Sequence, residues 1–525
     1  MADSIAKTLR RFRRFRYYLI LEGIAAGAAA GLVVVLFRIL LEKADGILHA
    51  ILAFGGAHRW FVPVWLVLLA AIAGVVTLLM KWEPHAGGSG IPQVEGEMSG
   101  HMEQCWWRVL LAKIAGGILS IGSGLSLGRE GPSIQLGAMV AKGFARAARR
   151  LKTEERLLMT CGAAAGLSAA FHAPFAGVLF SLEEIHKNFS AEVLLSTMAA
   201  SIAADFVSRY VVGLEPIFAF SAPQILALPQ YVHVILLGIL LGGLGVAYNR
   251  SVDLSQRLYQ KIPSQTVRLL IPFLCAGALG FTLPAVLGGG HPLAMQVAAG
   301  GYTIGMLCLL LAVKFVFSMV SFGAGAPGGI FLPLLVLGAL TGGIYHRAGG
   351  AVFGLTDSQL PIFVMLGMAG LFSAIVRAPI TGVVLICEMT GSFNHLLTVS
   401  LVSLVAYLVP DLCRVRPIYD QLLSRMLEKQ KNTEKRQNSG EKVLVDGVIC
   451  HGAAAAGKSV AQVQWPEGCL MVSLVRGEEE FVPNGDTVLS AGDRVVLLCD
   501  AWIAPDVYAV MECQCMCVQK EEAER

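Results

Sequence analysis

The sequence predicts an all-α polytopic membrane protein of broken helices in two repeated halves, followed by a small soluble α+β domain. Three observations predict it. Of the 525 residues, 55% are hydrophobic and 15% charged, against roughly a quarter charged in soluble domains, so the chain has too little polar surface to be globular in water. Up to about residue 410 there are on the order of a dozen apolar stretches, many too short or too interrupted by Gly and Pro for a span of about 20 residues. Two segments of the first half also recur in the second.

The net charge of +4 is small for this length, and basic residues gather beside apolar runs rather than in patches interleaved with aromatics, which excludes nucleic acid as a partner. The 12 cysteines lack paired spacing and predict buried or reduced thiols rather than a disulfide framework. Cys513, Cys515 and Cys517 alternate near the C-terminus, as on one face of a terminal strand or in a frayed tail; a soft-metal or redox role is the competing reading.

At the N-terminus, Lys7, Arg10, Arg11, Arg13, Arg14 and Arg16 precede an apolar run from Tyr17 to Leu41. That run is too long for a signal h-region of about 7 to 15 residues and long enough to span a bilayer. The positive-inside rule then puts the N-terminus in the cytoplasm, together with the connection carrying Arg146, Arg149, Arg150, Lys152 and Arg156.

Helices that stop partway through a membrane are tolerated where buried backbone lines a cavity, and corresponding breaks in two halves point to a binding site. Gly122 to Gly137 aligns without gaps on Gly323 to Gly338, an offset of 201, with Gly122, Gly124, Gly128, Pro132, Leu136 and Gly137 repeated. Gly162 to Glu183 aligns on Gly367 to Glu388, an offset of 205, preserving the Ala173-Pro174 step and the closing Glu183. Nearly equal offsets predict a duplication; whether the halves are parallel or inverted is left open by the alignment.

The centre of the first repeat is Gly122-Ser-Gly-Leu-Ser-Leu-Gly-Arg-Glu-Gly-Pro132. Its glycines free backbone amides to face a ligand, and Pro132 suits the first turn of a new helix, so the stretch has the make-up of an anion site. Glu130 is an ionisable residue at membrane depth, rarely kept without a pathway, proton relay or counter-ion to serve. The bland alternative is that Arg129 and Glu130 cap a helix end near the membrane surface.

Gly88-Ser-Gly-Ile-Pro92, Gly128-Arg-Glu-Gly-Pro132, Gly329-Ile-Phe-Leu-Pro333 and Tyr419 occur in the order and approximate spacing of the CLC chloride channel and transporter family, which the chain resembles over about residues 10 to 425. The resemblance implies a CLC-type inverted-repeat bundle of tilted and broken helices, a pore in each subunit of a homodimer, and chloride and protons as transported ions. It implies a multi-pass protein of the bacterial inner membrane with both termini cytoplasmic. A transporter of this kind needs no cofactor or metal and is not an enzyme.

By the same resemblance, anion coordination falls to the Ser89 and Tyr419 hydroxyls and the backbone amides of Ile330 and Phe331. Such donors replace water around an anion without a full charge that would hold it too tightly to leave. Taken alone, Ser89 is a helix N-cap, Tyr419 an interfacial anchor and Phe331 plain core. Glu130 becomes the gate, with Gly128, Gly131 and Pro132 shaping its turn; Arg129 and Lys113 support the site through its field and are not direct ligands.

Glu184, in Ser181-Leu-Glu-Glu-Ile-His186, lies at the position of the family's inner proton-transfer glutamate, a mark of exchangers. Glu183, not Glu184, is repeated as Glu388, which makes that pair structural, matched to Arg377 or to a helix end. Ser89 and the Gly-Arg-Glu-Gly-Pro form favour chloride over nitrate or fluoride. The leading expectation is a chloride/proton antiporter; a passive chloride channel of the same fold is the alternative.

After about residue 425 the composition turns polar, Glu428 to Gly440 forming a linker. The expected layout is residues 1–425 as transport domain, with repeats at about 20–215 and 230–410, then 426–441 as linker, 442–519 as soluble domain and 520–525 as tail. In the soluble part, Val443 to Cys450, Cys469 to Val475 and Arg494 to Cys499 predict strands, and Ser459 to Gln464 a short helix. Gly452 to Ser459 satisfies a P-loop pattern, whence a remote alternative of a nucleotide-dependent transport protein. The segment instead resembles the TrkA-C domain that regulates potassium channels and transporters, which implies a cytosolic regulatory module with an unknown small-molecule ligand.

Overall fold

A computed structural model describes residues 2–58, 60–187, 191–220, 225–353, 355–431, 442–450, 452–477 and 479–500, and beyond these residues 503, 507, 508, 510, 511 and 515. The chain forms two compact units, one running to Leu423 and one carrying the residues from Ser424 together with Gly96–Glu103 and Leu151–Thr153.

In the larger unit, long helices Ala2–Ala57 and Phe61–Trp82 precede a 3-10 turn at Pro84–Ala86 and the short helix Ile91–Met98. Helices Trp106–Gly122, Glu130–Ala147, Lys152–Phe171, Pro174–Phe180 and Ala191–Val212 complete the first half. The second half repeats that order: Tyr231–Gln260, Gln265–Thr282, a 3-10 turn at Pro284–Val286, His291–Ala298, Ile304–Gly323, Phe331–Phe353, Leu360–Val376, Pro379–Thr390 and Leu396–Leu412. Helix Ile418–Lys431 follows. Among the described residues seven helices are long and apolar enough to cross a membrane; the 8-residue Ile91–Met98 and the 7-residue Pro174–Phe180 are not.

The first helix extends well beyond the apolar run Tyr17–Leu41, because the arginines ahead of it are good helix formers and no proline interrupts the chain before Pro63. Gly23, Gly27 and Gly31 line one stripe of it against Ser196, Ala200 and Ala204. A Cβ on Gly31 would stand 2.9 Å from the Ala204 Cα, so the small residues permit close helix crossing without hydrophobic drive between the partners.

Repeat-related contacts hold the halves together. Gly128 and Gly329 form an antiparallel bridge in which each amide donates to the other's carbonyl at 2.7 Å. Gly88 N donates to Gly325 O, and its counterpart Gly288 N donates to Gly124 O, both at 3.0 Å. Glu388 accepts from the amides of Phe175 and Ala176 at 3.1 and 2.8 Å, and Glu183 accepts from Thr381 N and Oγ1 at 3.0 and 2.7 Å. Each glutamate thus caps the first turn of a helix in the opposite half, where an anionic group is favoured. Of the two partners expected for this pair, the helix end is the one found; Arg377 bonds Asp411 instead, at 3.0 Å.

In the smaller unit four strands, β1 (Lys442–Val448), β2 (Cys469–Arg476), β3 (Glu479–Phe481) and β4 (Arg494–Asp500), form a sheet in the order β1-β4-β2-β3. All pairings are antiparallel. Val443 and Val445, Met471 and Leu474, and Val495, Leu497 and Cys499 supply its buried face. The expected helix at Ser459 to Gln464 shrinks to a 3-10 turn, Val460–Gln462, because Val460 N and Ala461 N are bonded to Thr487 O and Gly485 O across the loop. A glycine-rich loop leading into such a turn on an antiparallel sheet lacks the strand-to-helix geometry that cradles phosphates, which removes the nucleotide alternative.

Cys515 corrects the expectation of a strand or a frayed tail. It is helical and packs in the domain core, its Sγ 3.8 Å from Met511 Sδ. Burial, and then the neighbouring Cys450, push its thiol up to about 11, so it stays protonated and inert at neutral pH. Cys513 and Cys517 lie outside the described residues.

Candidate functional site

Three breaks in the bundle meet at one place. In the first, Gly88 and Gly90 have φ of +63° and +103°, a region that favours glycine, and between them Ser89 is buried. Helix Ile91–Met98 begins directly afterwards, yet Ser89 is not its cap: Gly90 N donates to the Gln93 side chain at 3.0 Å. The Ser89 hydroxyl is buried without a hydrogen-bond partner among the described residues, facing the first turn of the second break.

That turn begins at Glu130. A Cβ on Gly131 would fall 2.5 Å from Ser89 Oγ and 2.7 Å from its carbonyl, so glycine there lets the two segments touch. Pro132 is buried in the same first turn. Glu130 is wholly buried, which removes the surface-cap reading. Its Oε2 accepts from the amide of Leu332 at 3.4 Å, and its Oε1 has no partner among the described residues.

Leu332 belongs to the third break, where helix Phe331–Phe353 starts after the Gly128/Gly329 bridge. Ile330 and Phe331 are buried beside it. The amide that meets the carboxylate is thus one residue past the expected pair, which no feature of the local sequence marked. Phe331 packs among Phe171, Phe180 and Phe372, with ring centroids 5.3, 6.2 and 4.7 Å away. Phe180 in turn meets the Tyr419 ring edge-on at 6.2 Å. Tyr419 is fully buried, not an interfacial anchor, and its hydroxyl has no hydrogen-bond partner among the described residues. That hydroxyl lies within electrostatic reach of both Glu130 and Glu184.

Lys113 lies outside this cluster. Its ammonium donates to Ala86 O and Gly88 O at 3.1 and 2.8 Å, bracing the loop that carries Ser89. Lys314, at the repeat offset of 201, does the same for Val286 O and Gly288 O at 2.8 and 2.6 Å. The offset alone would have found it. Arg129 pairs with Glu42, its Nη1 3.6 Å from Glu42 Oε1.

Glu184 sits in a π-helical turn, Ser181–His186, that prolongs helix Pro174–Phe180. The corresponding helix Pro379–Thr390 remains regular; π-turns of this kind are frequent at functional sites. Glu184 is buried, its Oε1 without a partner among the described residues. Around it stand Glu95, Lys187 and Asp420, none of which the sequence reasoning singled out.

The model of the voltage gated chloride channel family matches residues 70–411. The chain belongs to this family. Its similarity extends to the H(+)/Cl(-) exchange transporter ClcA of Vibrio cholerae serotype O1, 37% identical over 386 residues that make up 71% of this chain and 82% of the relative. ClcA of Salmonella typhimurium is 33% identical over 450 residues, 83% of this chain and 95% of that protein. Among solved structures, a slow cyanobacterial Cl-/H+ antiporter superposes with a TM-score of 0.76 at 27% identity, over 79% of this chain and 99% of its own. A eukaryotic CLC transporter shares the fold, with a TM-score of 0.66 at 23% identity over 79% of this chain and 75% of its own. The TrkA-C domain model matches residues 448–509. The larger unit therefore has the CLC fold, an inverted-repeat bundle of partial helices that spans the membrane several times.

Proposed function

We propose that the protein exchanges chloride for protons, with Glu130 as the gate. One observation carries this reading: the Glu130 carboxylate lies on the amide of Leu332, at the N-terminus of a helix whose partial positive charge suits an anion. Carboxylate and chloride compete for that position. Protonation removes the charge that makes the side chain compete, so the group binds the site or a proton, not both. The Ser89 and Tyr419 hydroxyls and the amides of Ile330, Phe331 and Leu332 then take the anion, donors that leave it free to depart. Gly128, Gly131 and Pro132 give the turn its close approach, and Lys113 and Arg129 act from outside the ligand set.

Protons need a second carboxylate to cross the remaining part of a hydrocarbon layer about 30 Å thick. Glu184 fills that role in this reading, passing protons to and from Glu130 along a route apart from the chloride path. The exchanger relatives favour it over a passive channel.

The working form in this reading is a homodimer in the bacterial inner membrane, with both termini cytoplasmic. Residues 1–425 form the transport domain, 426–441 a linker, 442–519 a regulatory TrkA-C-like domain that takes a small-molecule ligand, and 520–525 a tail. No cofactor or enzymatic step enters. The test is chloride flux and proton uptake in liposomes for the wild type and Glu184→Gln, which keeps shape and removes titration. Chloride is expected to move in both and protons only in the wild type. A wild type that moves chloride without protons is a channel and overturns the reading; a fully coupled Glu184→Gln overturns the proton path alone.

A further inference from the structure

The two halves provide an internal control for the buried charges. Lys113 has its counterpart in Lys314 and Glu183 in Glu388, and each such pair braces backbone in the same way on both sides. Glu95, Glu184 and Lys187 have no such echo: by the order of the helices and the repeat offsets their counterparts are Met295, Met389 and Ser392. A charged cluster present on one side only is not required to build a half.

Lys187 is the centre of that cluster. It follows the π-turn that holds Glu184, in the left-handed region at φ +53°, which turns its side chain out of the helical run. Its ammonium bonds Glu95 Oε1 and Asp420 Oδ1, both at 2.7 Å. Glu95 lies in helix Ile91–Met98, whose entry loop carries Ser89; Asp420 follows Tyr419 directly. The side chain of Glu95 is 6% exposed, while those of Lys187 and Asp420 are 43% and 40% exposed. The clamp therefore runs from the protein interior to its surface. One cation ties together the element that follows Ser89 and the element that carries Tyr419, and it does so beside Glu184.

We propose that Lys187 is a positioning residue that sets the proton-to-chloride coupling. By holding helix Ile91–Met98 and the start of helix Ile418–Lys431 at fixed separation around Glu184, it keeps the carboxylate and the Tyr419 hydroxyl in the register that makes each chloride wait for a proton. Charge-assisted bonds at this length are directional, and a lysine shared between two carboxylates transmits movement of either helix to the other. The inference rests on the reading of Glu184 as the proton-transfer residue.

The experiment uses the full chain in liposomes, with chloride efflux and chloride-driven proton uptake measured on the same preparation for wild type, Lys187→Met, Lys187→Arg and Asp420→Asn. Lys187→Met is expected to keep moving chloride but to lower the ratio of protons to chloride by roughly twofold to tenfold, the range of mutations that loosen a coupled network. Lys187→Arg restores the ratio, and Asp420→Asn, which removes one arm of the clamp at a half-exposed position, gives an intermediate value. A merely structural role would lower both fluxes together and leave the ratio alone. A wild-type ratio in Lys187→Met overturns the proposal while the exchange function stands; if Lys187→Met does not fold, a wild-type ratio in Asp420→Asn overturns it instead. A wild type without proton transport removes both the exchange reading and this inference.

Discussion

Gly128 and Gly329 bond each other's backbone in both directions at 2.7 Å, and they are the same position of the repeat, 201 residues apart. The bridge brings the first turns of helices Glu130–Ala147 and Phe331–Phe353 together, so a carboxylate from one half reaches an amide from the other. The duplicated chain thereby builds one site from both halves.

The contact between Gly131 and Ser89 gives a first prediction. Gly131→Ala places a methyl 2.5 Å from Ser89 Oγ, so the Ser89 loop must shift and chloride flux should fall while the protein still folds. Reconstituted flux checks this, and wild-type flux in a folded Gly131→Ala protein would separate Ser89 from the anion path.

Lys113 and Lys314 make equivalent bonds, and replacing either with Met takes the ammonium from two carbonyls, of which Gly88 O keeps a second donor in the amide of Gly328 at 3.0 Å. Each replacement should cost about 1–3 kcal/mol per carbonyl left unpaired, read as a lower melting temperature in detergent. Chloride flux should suffer more in Lys113→Met, because the loop it braces carries Ser89, proposed as an anion ligand, whereas the repeat position holds Gly289. Equal losses of flux in the two variants would count against the position given to Ser89.

Glu183→Gln and Glu388→Gln weaken a helix cap across the halves, a loss of about 0.5–2 kcal/mol each. Coupling should survive in both. Loss of proton transport in Glu183→Gln with chloride transport intact would move the proton role from Glu184 to its neighbour.

In the smaller unit, Asp493 accepts from Arg476 at 2.8 and 2.6 Å and from Ser490 N at 2.7 Å. The Arg476 guanidinium and that amide hold its carboxyl below the usual range despite burial. A depressed carboxylate stabilises the fold above its unfolded value, near pH 4, and the contribution disappears as the pH falls through the lower folded value. Arg476→Ala should therefore lower domain stability by about 1–2 kcal/mol at neutral pH, allowing for the half-exposed arginine, and by less in acid. Hydrogen exchange across β2 and β4 in the full chain reads this; a loss that grows as the pH falls would reverse the sign of the argument.

The fold, and the helix breaks that the structure brings together, were legible because they are written in local motifs. Glycine and proline at helix breaks, and a repeat that preserves an Ala-Pro step and a trailing glutamate, survive translation into sequence. The clamp at Lys187 was not legible: its partners lie 92 and 233 residues away, and a lysine after a polar turn looks like a solvated helix end. Nor was the amide of Leu332, since a backbone donor carries no side-chain signature. Cys515 misled for the opposite reason: alternation with its neighbours suggested a strand face, whereas it is helical and packed against Met511.

The measurement that bears most directly on the gate is proton uptake driven by a chloride gradient, with voltage controlled, in liposomes holding wild type or Glu130→Ala. Uphill proton uptake is expected in the wild type, and in Glu130→Ala chloride flux without proton movement and without dependence on pH, because the carboxylate that meets the Leu332 amide is gone. Proton uptake or steep pH dependence persisting in Glu130→Ala would contradict this and assign the gate to another group.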